Sequence, residues 1–231
     1  MLKTSRSTSR RPPRRREIPE DTRTRILEAA ERLFAERGVD AVSVRAVLRE
    51  AGVNGALANY HFGNREGLIR ELLRTRVAPL AEEQIRGIEE VDARGSGATI
   101  EDVLRAYFAP AARTVGGHPR LGKLLGQLGF SANPAIRELG RDVLRASIRR
   151  LGEALAKRID GPIDPARLFF RLYMVIGIQT FFASWWDVVA QSARKRLPSP
   201  AALDVELMAE EYVAFCAAGL RAVSGPRKED R

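Results

Sequence analysis

Residues 42–68 read VSVRAVLREAGVNGALANYHFGNREGL and contain the clearest structural signals of the chain. Ser43 is a favoured N-cap residue for one short helix, and Asn54 is a favoured N-cap for a second short helix over 54–61. Gly52 lies in the tight turn that would join them. Two short helices joined by a brief turn that contains glycine are typical of a helix-turn-helix.

The second helix of this pair carries hydrogen-bonding side chains side by side. In a helix-turn-helix that helix lies in the major groove of DNA, while the first helix crosses the backbone. Asn59 could then pair with adenine, while Tyr60 and His61 donate to phosphate oxygens. Arg65, in the first turn of the next helix, would clamp the backbone, and Phe62 would turn inward. The alternative is an αα-hairpin with an ordinary polar surface inside a larger bundle.

The rest of the chain has the apolar periodicity of an all-α protein. Before the pair, one apolar stripe predicts a helix that Thr22 or Asp21 caps at its start and Gly38 caps at its end. That stripe comprises Ile26, Ala29, Ala30, Leu33 and Phe34. After the pair, we expect a helix capped by Asn64 and, between turns rich in glycine and proline, helices over 100–115, 119–129, 134–159, 165–190 and 201–223.

The charge is unevenly placed along the chain. The net charge is +10, and seven of the 39 basic residues fall in residues 1–16, which hold no acidic residue. The rest of the chain has 32 basic against 29 acidic residues and is nearly neutral. A basic arm of this kind fits either a polyanion partner or a solubilising tail.

Residue content argues against a secreted or membrane protein. The single cysteine, Cys216, excludes an internal disulfide and fits a reducing cytoplasm. No apolar segment follows the N-terminal charges, so we expect no secretory signal. The most apolar run, LYMVIGIQTFFASWW over 172–186, has fifteen residues, fewer than the roughly 20 that span a bilayer. We therefore expect a buried helix there and no membrane partner.

An enzyme is also disfavoured by the residues present. His61 and His118 are the only histidines, and no His/Cys cluster has the spacing of a metal site. No phosphate-binding glycine loop and no Ser/His/Asp set is recognisable. We accordingly expect no catalytic residues, no metal and no cofactor.

Residues 22–74 resemble the N-terminal domain of the TetR family of transcriptional repressors. The resemblance is carried by the segments ILEAAERLFAERG, VSVRAVLREAGV and NYHFGNREGL, in this order and spacing. It implies an all-helical homodimer, with a small DNA-binding domain for a palindromic operator. It also implies a larger helical C-terminal domain that binds an effector and dimerises.

The resemblance assigns DNA-binding roles position by position. Ser43 and Arg45 fall where the family contacts phosphate, and Arg65 stands where the family usually has lysine. The recognition helix would contain Asn54, Gly55, Ala56, Ala58, Asn59, Tyr60 and His61. Gly55 and Ala56 are small where many relatives have a longer polar residue, so this chain has fewer side chains that reach bases.

These features together predict the organisation and the function. We expect a disordered basic arm over 1–18, a helix-turn-helix domain over 19–75, a helical effector-binding and dimerisation domain over 76–225 and a tail over 226–231. The predicted function is a cytoplasmic transcriptional repressor that binds double-stranded operator DNA as a homodimer and is released by a small-molecule effector. The alternative is a helical protein that binds polyanions without sequence preference.

The C-terminal half would supply the dimer interface and an effector pocket. The interface is expected on the last two long helices, since 165–190 is apolar nearly all round and 203–220 has a wide apolar stripe. For each candidate pocket residue, packing in the core is the stronger expectation. Gln179 is the most interesting of them, because a lone amide among apolar neighbours needs a buried partner. The candidates are Phe108, Phe130, Phe169, Phe170, Tyr173, Met174, Gln179, Phe182 and Trp185.

Overall fold

The structure, a computed structural model, describes residues 19–53, 62–159, 164–196 and 205–222. Over these ranges the chain forms nine α-helices and a short 3-10 helix, and no strand. The α-helices are α1 (Glu20–Arg37), α2 (Val44–Glu50), α3 (Arg65–Arg76), α4 (Ala78–Ala93), α5 (Ile100–Gly117), α6 (Pro119–Phe130), α7 (Pro134–Ala156), α8 (Pro165–Arg196) and α9 (Val205–Arg221). The predicted recognition helix over 54–61, the basic arm and the tail lie outside the described residues.

Most of the predicted helix ends are confirmed. Ser43 accepts a hydrogen bond from the Ala46 N–H at 3.2 Å, and Asn64 accepts one from the Gly67 N–H at 2.8 Å. Gly38 ends α1 with a φ of +88°, a value that favours glycine.

The predicted start of α1 is wrong. The helix begins at Glu20 after Pro19, and no side chain caps it. Asp21 therefore lies within the first turn, upstream of Thr22. There a carboxylate interacts favourably with the positive end of the helix dipole instead of capping the helix.

The structure has one helix, α4, that was not predicted from the sequence. Helix α4 follows α3 almost without a break, because the joining residue Val77 keeps a right-handed helical conformation. Pro79 sits in its first turn, where its missing N–H costs no hydrogen bond. The buried Gln84 of α4 donates to the Tyr107 carbonyl at 2.8 Å and ties α4 to α5.

The buried residues form two clusters. The first joins α1–α3, which we call the head, to α6 and the start of α7. All five stripe residues predicted for α1 are buried, with Phe34 fully enclosed. The second cluster joins α4, α5 and the end of α7 to α8 and α9, and we call α4–α9 the body. Since α6 belongs to the body yet packs on α1, a movement of α6 would displace α1 as well.

The expectation of a buried helix over 165–190 is wrong for the single chain. Among the described residues of α8, Val175 alone is classed as buried. By length and composition, an 18-residue window of α8, with a mean hydropathy of 1.3, is apolar enough to cross a membrane. Core helices of soluble proteins meet the same criterion. In the single chain α8 therefore exposes a large apolar area.

A carboxylate cluster fastens α4 to the end of α7. Asp92 accepts hydrogen bonds from Arg150, Lys157 and Arg158 at 2.7, 2.8 and 2.6 Å. The bond from Lys157, then those from Arg158 and Arg150, hold the pKa of Asp92 far below its usual 3.8, although burial opposes them. A carboxyl whose folded-state pKa is lowered stabilises the fold above its unfolded pKa and loses that contribution as pH falls.

Asp92→Asn is expected to lower the free energy of unfolding at pH 7, because a neutral amide cannot balance the three cations around it. The difference from wild type should stay constant from pH 7 to about 5 and shrink below pH ~4, as wild-type Asp92 loses its advantage. Urea unfolding at pH 7, 5 and 3 measures this. Asp142→Asn, which removes an exposed ion pair with Arg145, should change little; equal losses in both variants would contradict a special role for Asp92.

Candidate nucleic-acid interface

Helix α2 presents one basic face to solvent. Val47 and Leu48 bury the opposite face against the head core, which fixes the orientation of the helix. Arg45 is exposed, and no described acidic residue forms an ion pair with it. Arg49, four residues later, is exposed on the same face and was not singled out from the sequence. The spacing of four residues is the signal that could have identified it.

The predicted reading segment is anchored at both ends. Before it, Gly52 has a φ of +64°, and the Val53 N–H donates to the Leu48 carbonyl at 3.0 Å. After it, Phe62 is half-buried and packs against the head core, as expected. The reading residues themselves lie outside the described residues, so their assignment stays a prediction: Asn54, Gly55, Ala56, Ala58, Asn59, Tyr60 and His61.

The Arg65 side chain bonds to the backbone of its own chain, which was not expected of a residue predicted to contact DNA phosphate. Its guanidinium donates to the Asp40 carbonyl at 2.9 Å and to the Val39 carbonyl at 3.5 Å. The residue is half-buried and braces the start of α3 against the turn between α1 and α2. An arginine has five N–H groups, so a phosphate contact can coexist with this brace.

Arg65→Ala is expected to weaken DNA binding and to lower the slope of log affinity against log salt by about one unit, as for the loss of one phosphate contact. Tyr60→Phe should weaken binding without changing the slope, because the hydroxyl that it removes carries no charge. Arg65→Lys is the matched control, because it keeps the charge and loses the planar fork. Titrations at several salt concentrations measure the slope. An unchanged slope for Arg65→Ala would contradict the phosphate contact and leave Arg65 with a structural role alone.

A polar latch joins the head to the loop between α6 and α7. Asp40 accepts hydrogen bonds from the Ser131 hydroxyl and the Ala132 N–H, both at 2.7 Å. These two bonds, the Ser131 bond first, hold the pKa of Asp40 below its usual value. Asn133 donates to Glu66 at 3.0 Å. The partners are more than 60 residues apart in sequence, and no local pattern marked them.

The structure brings together three of the predicted pocket residues. Phe108, Gln179 and Phe182 line a cavity of about 10 Å³, together with Met208 and alanines of α5 and α8. The side-chain oxygen of Gln179 is buried there and accepts no hydrogen bond from the described residues. The other candidates lie on the surface of the single chain, because their helix faces are not covered by the body: Phe130, Phe169, Phe170, Tyr173, Met174 and Trp185.

A family model decides the identity of the head. The model described as "Bacterial regulatory proteins, tetR family" matches residues 26–72. This range contains most of α1, all of α2, most of α3 and the predicted reading segment. The head belongs to the TetR family. The family resemblance and the all-helical fold predicted from the sequence are thereby confirmed.

Curated TetR-type regulators are similar to this chain over the same part. The transcriptional regulator UidR of Escherichia coli strain K12 is 34% identical over 74 residues, which are 31% of this chain and 38% of UidR. The repressor AcnR of Corynebacterium glutamicum is 38% identical over 64 residues, 28% of this chain and 34% of AcnR. The matched region thus spans little more than a third of either relative.

Solved TetR-type structures extend the similarity of fold to the body. The regulator FadR of Bacillus subtilis, in complex with stearoyl-CoA, superposes with a TM-score of 0.62 at 17% sequence identity. The superposition covers 85% of this chain and 98% of FadR. A helix-turn-helix domain followed by a larger helical domain is therefore the architecture of the part of the chain that the structure describes.

With a TetR-family head, this chain exposes apolar residues on both of its last two helices. Along α8 they follow a helical stripe, and Met174 at its centre is 64% exposed. On α9, Phe215 is 70% exposed and is surrounded by small residues. We call this surface the α8–α9 face; it comprises Phe169, Phe170, Tyr173, Met174, Gly177, Phe181, Trp185, Val188, Leu207, Ala214, Phe215, Ala218 and Gly219.

Proposed function

We propose that this protein is a cytoplasmic transcriptional regulator that represses by binding a palindromic operator as a homodimer and leaves it on binding a small molecule. The proposal rests on the arrangement of residues in the head. A TetR-type helix-turn-helix exposes the N-terminus of α2, capped by Ser43, and the exposed Arg45 beside it. Exposed N–H groups at a helix start and a neighbouring guanidinium suit phosphate oxygens.

The reading segment would follow directly from this placement. Val53 and Phe62 hold its two ends against the head core, so the segment would leave and rejoin the head at fixed points. Asn59 is the residue best suited to read adenine, with Tyr60 and His61 on flanking phosphates. Arg65 would add a backbone contact while it braces Asp40.

The α8–α9 face supports a homodimer. The exposed parts of its six aromatic residues alone add roughly 700 Å² of surface, more than the roughly 300–600 Å² of the largest apolar patch on a typical monomer. Gly177 lies in the middle of the stripe, and a Cβ there would meet no atom within 4 Å. A second α8 could therefore approach closely at this point. Two heads on one dimer would read two half-sites about 34 Å apart.

The effector would enter the body next to Gln179. The cavity is far smaller than the 300–1,000 Å³ of typical ligand sites, so α5, α8 and α9 must separate for a ligand to bind. An apolar ligand with one hydrogen-bond donor would satisfy the orphan oxygen of Gln179. FadR binds stearoyl-CoA in its structure, which fits a body of this fold that accepts large apolar ligands.

The proposed division places the head over 19–75 and the body over 76–225, with an arm over 1–18 and a tail over 226–231.

The latch offers a path by which an effector in the body could act on the head. Helix α6 lies between α8 and α1, and Gln127 of α6 donates to the Ala35 carbonyl at 3.2 Å. A shift of α6 would move the head through this bond and through Asp40. The effector must favour one spacing of the heads to act at all.

Mobility shifts with competitor DNA test the proposal. The regulator should prefer DNA from upstream of its own gene by about 10³-fold or more over random duplex. Equal binding to both would favour the alternative of a non-specific polyanion binder. Deletion of residues 1–18 distinguishes the contribution of the arm from that of the head. If the arm contacts DNA, the deletion should lower the affinity for all sequences equally.

A further inference from the structure

A groove of about 670 Å³ lies at the end of the body farthest from the head. It is bounded by the ends of α4, α5, α7 and α9. Helix α7 begins beside the head, where Asn133 bonds to Glu66, and its 23 residues extend about 35 Å to the groove. The groove is therefore separate from the DNA-binding surface and from the small cavity at Gln179, and it has the volume of a ligand site.

The groove carries more positive than negative charge. Three basic residues and one acidic residue line it. Around Asp92, three cations meet one carboxylate, a net charge of +2 over these four side chains: Arg150, Lys157 and Arg158 with Asp92. Glu153 lies 3.7 Å from Arg150 and 3.9 Å from Arg149, and together Arg149 and Glu153 add no net charge. Among the described ion pairs of these residues, an excess of positive charge therefore remains around Asp92.

Two of these cations are placed to hold an anion. The Arg158 side chain is only 9% exposed, and its guanidinium is fixed by the Asp92 carboxylate and the Ala98 and Ala154 carbonyls. Lys157 is 60% exposed and has three N–H groups, one of which bonds to Asp92. One rigid and one mobile cation on the same wall can close on an oxyanion from two sides.

The remaining walls fit an organic group. Ala98, Ile100 and Ile159 supply apolar surface beside the cations. The start of α5 does not itself attract the anion, because Thr99 and Asp102 already cap each other's N–H groups. The attraction comes from side chains, and the shape suits a molecule with one charged end.

We propose that this groove binds a small phosphorylated ligand. Its phosphoryl group contacts Lys157 and Arg158, and its organic part lies on Ile100 and Ile159. A phosphoryl group carries about −1.5 to −2 charges at pH 7, which matches the net charge of +2, whereas a carboxylate would neutralise only half of it. The site would be a second ligand site of the body, and its existence does not depend on the proposed DNA-binding function.

Calorimetric titration of the full chain with inorganic pyrophosphate tests this proposal. Saturable binding of one pyrophosphate per chain is expected, and it should weaken as sodium chloride is added. Lys157→Gln should reduce the affinity about tenfold through loss of one charge-assisted hydrogen bond. This variant keeps Arg150 and Arg158 on Asp92, so the fold is retained.

Three further variants make the result specific to the groove. Lys123→Gln removes a lysine that also pairs with an aspartate, Asp187, but lies elsewhere, and should bind pyrophosphate normally. Deletion of residues 1–18 should also leave binding unchanged. Ser96→Glu places a carboxylate on the exposed groove wall and should abolish binding. The proposal is overturned by no saturable binding to wild type, by normal binding to Lys157→Gln or Ser96→Glu, or by equal losses in the Lys123 variant or the deletion.

Discussion

Replacement of both Phe181 and Trp185 by glutamate is expected to turn the dimer into a monomer and to lower operator affinity by at least about 100-fold. Both aromatic rings are about half exposed on α8 and stack on each other with their centroids 6.3 Å apart. In the proposed dimer they are buried against a second chain, where a charged carboxylate without a partner is costly. In the single chain the glutamates face water, so each protomer should remain folded.

Sedimentation velocity and mobility shifts on the same samples measure both effects. A monomer should retain only the weak affinity of one head for one half-site. Phe130→Glu is the matched control, because Phe130 is 90% exposed but lies on α6, outside the α8–α9 face. A double variant that remains dimeric, or a monomer with full operator affinity, would contradict the proposed interface.

Gly122→Ala is expected to destabilise the protein by about 1–3 kcal/mol, although alanine favours a helix by about 1 kcal/mol over glycine. A Cβ at Gly122 would lie 2.2 Å from the Ala183 carbonyl oxygen, so α6 and α8 must separate. The contact is with backbone, which cannot rotate away as a flexible side chain would. Overpacking therefore outweighs the gain in helix propensity.

Gly129→Ala tests the same exchange without the contact. Gly129 lies on the same helix, and a Cβ there would meet no atom within 4 Å. This variant should be neutral or more stable by up to about 1 kcal/mol. Urea unfolding at one fixed protein concentration compares the two, since dimerisation affects apparent stability. Stabilisation by Gly122→Ala would show that α6 and α8 are not held as closely as described.

Local patterns in the sequence predicted most of the helices. The apolar spacing in α1 placed Ile26 and Phe34 in the core, and both are buried. Ser43 and Asn64 cap their helices because a cap bond depends only on residues three apart. Helix α4 was missed because Val77 continues the helical backbone between α3 and α4 without a turn signal.

Surfaces and long-range contacts could not be predicted in this way. Apolar periodicity indicates that α8 avoids water but not whether its own chain or a second chain covers it, so the exposure of Tyr173 and Trp185 was missed. The bonds of Asp40 to Ser131 and of Arg158 to Asp92 join residues far apart in sequence. Only the packed fold brings these groups together.

In the proposed complex, two identical heads bind one operator. Hydroxyl-radical footprinting of the protein on DNA from upstream of its gene shows where each head lies. We predict two protected patches related by a two-fold axis and centred about 34 Å apart along one face of the duplex, or at a multiple of that spacing. Uniform protection of the DNA, or a single patch without a symmetric partner, would contradict it.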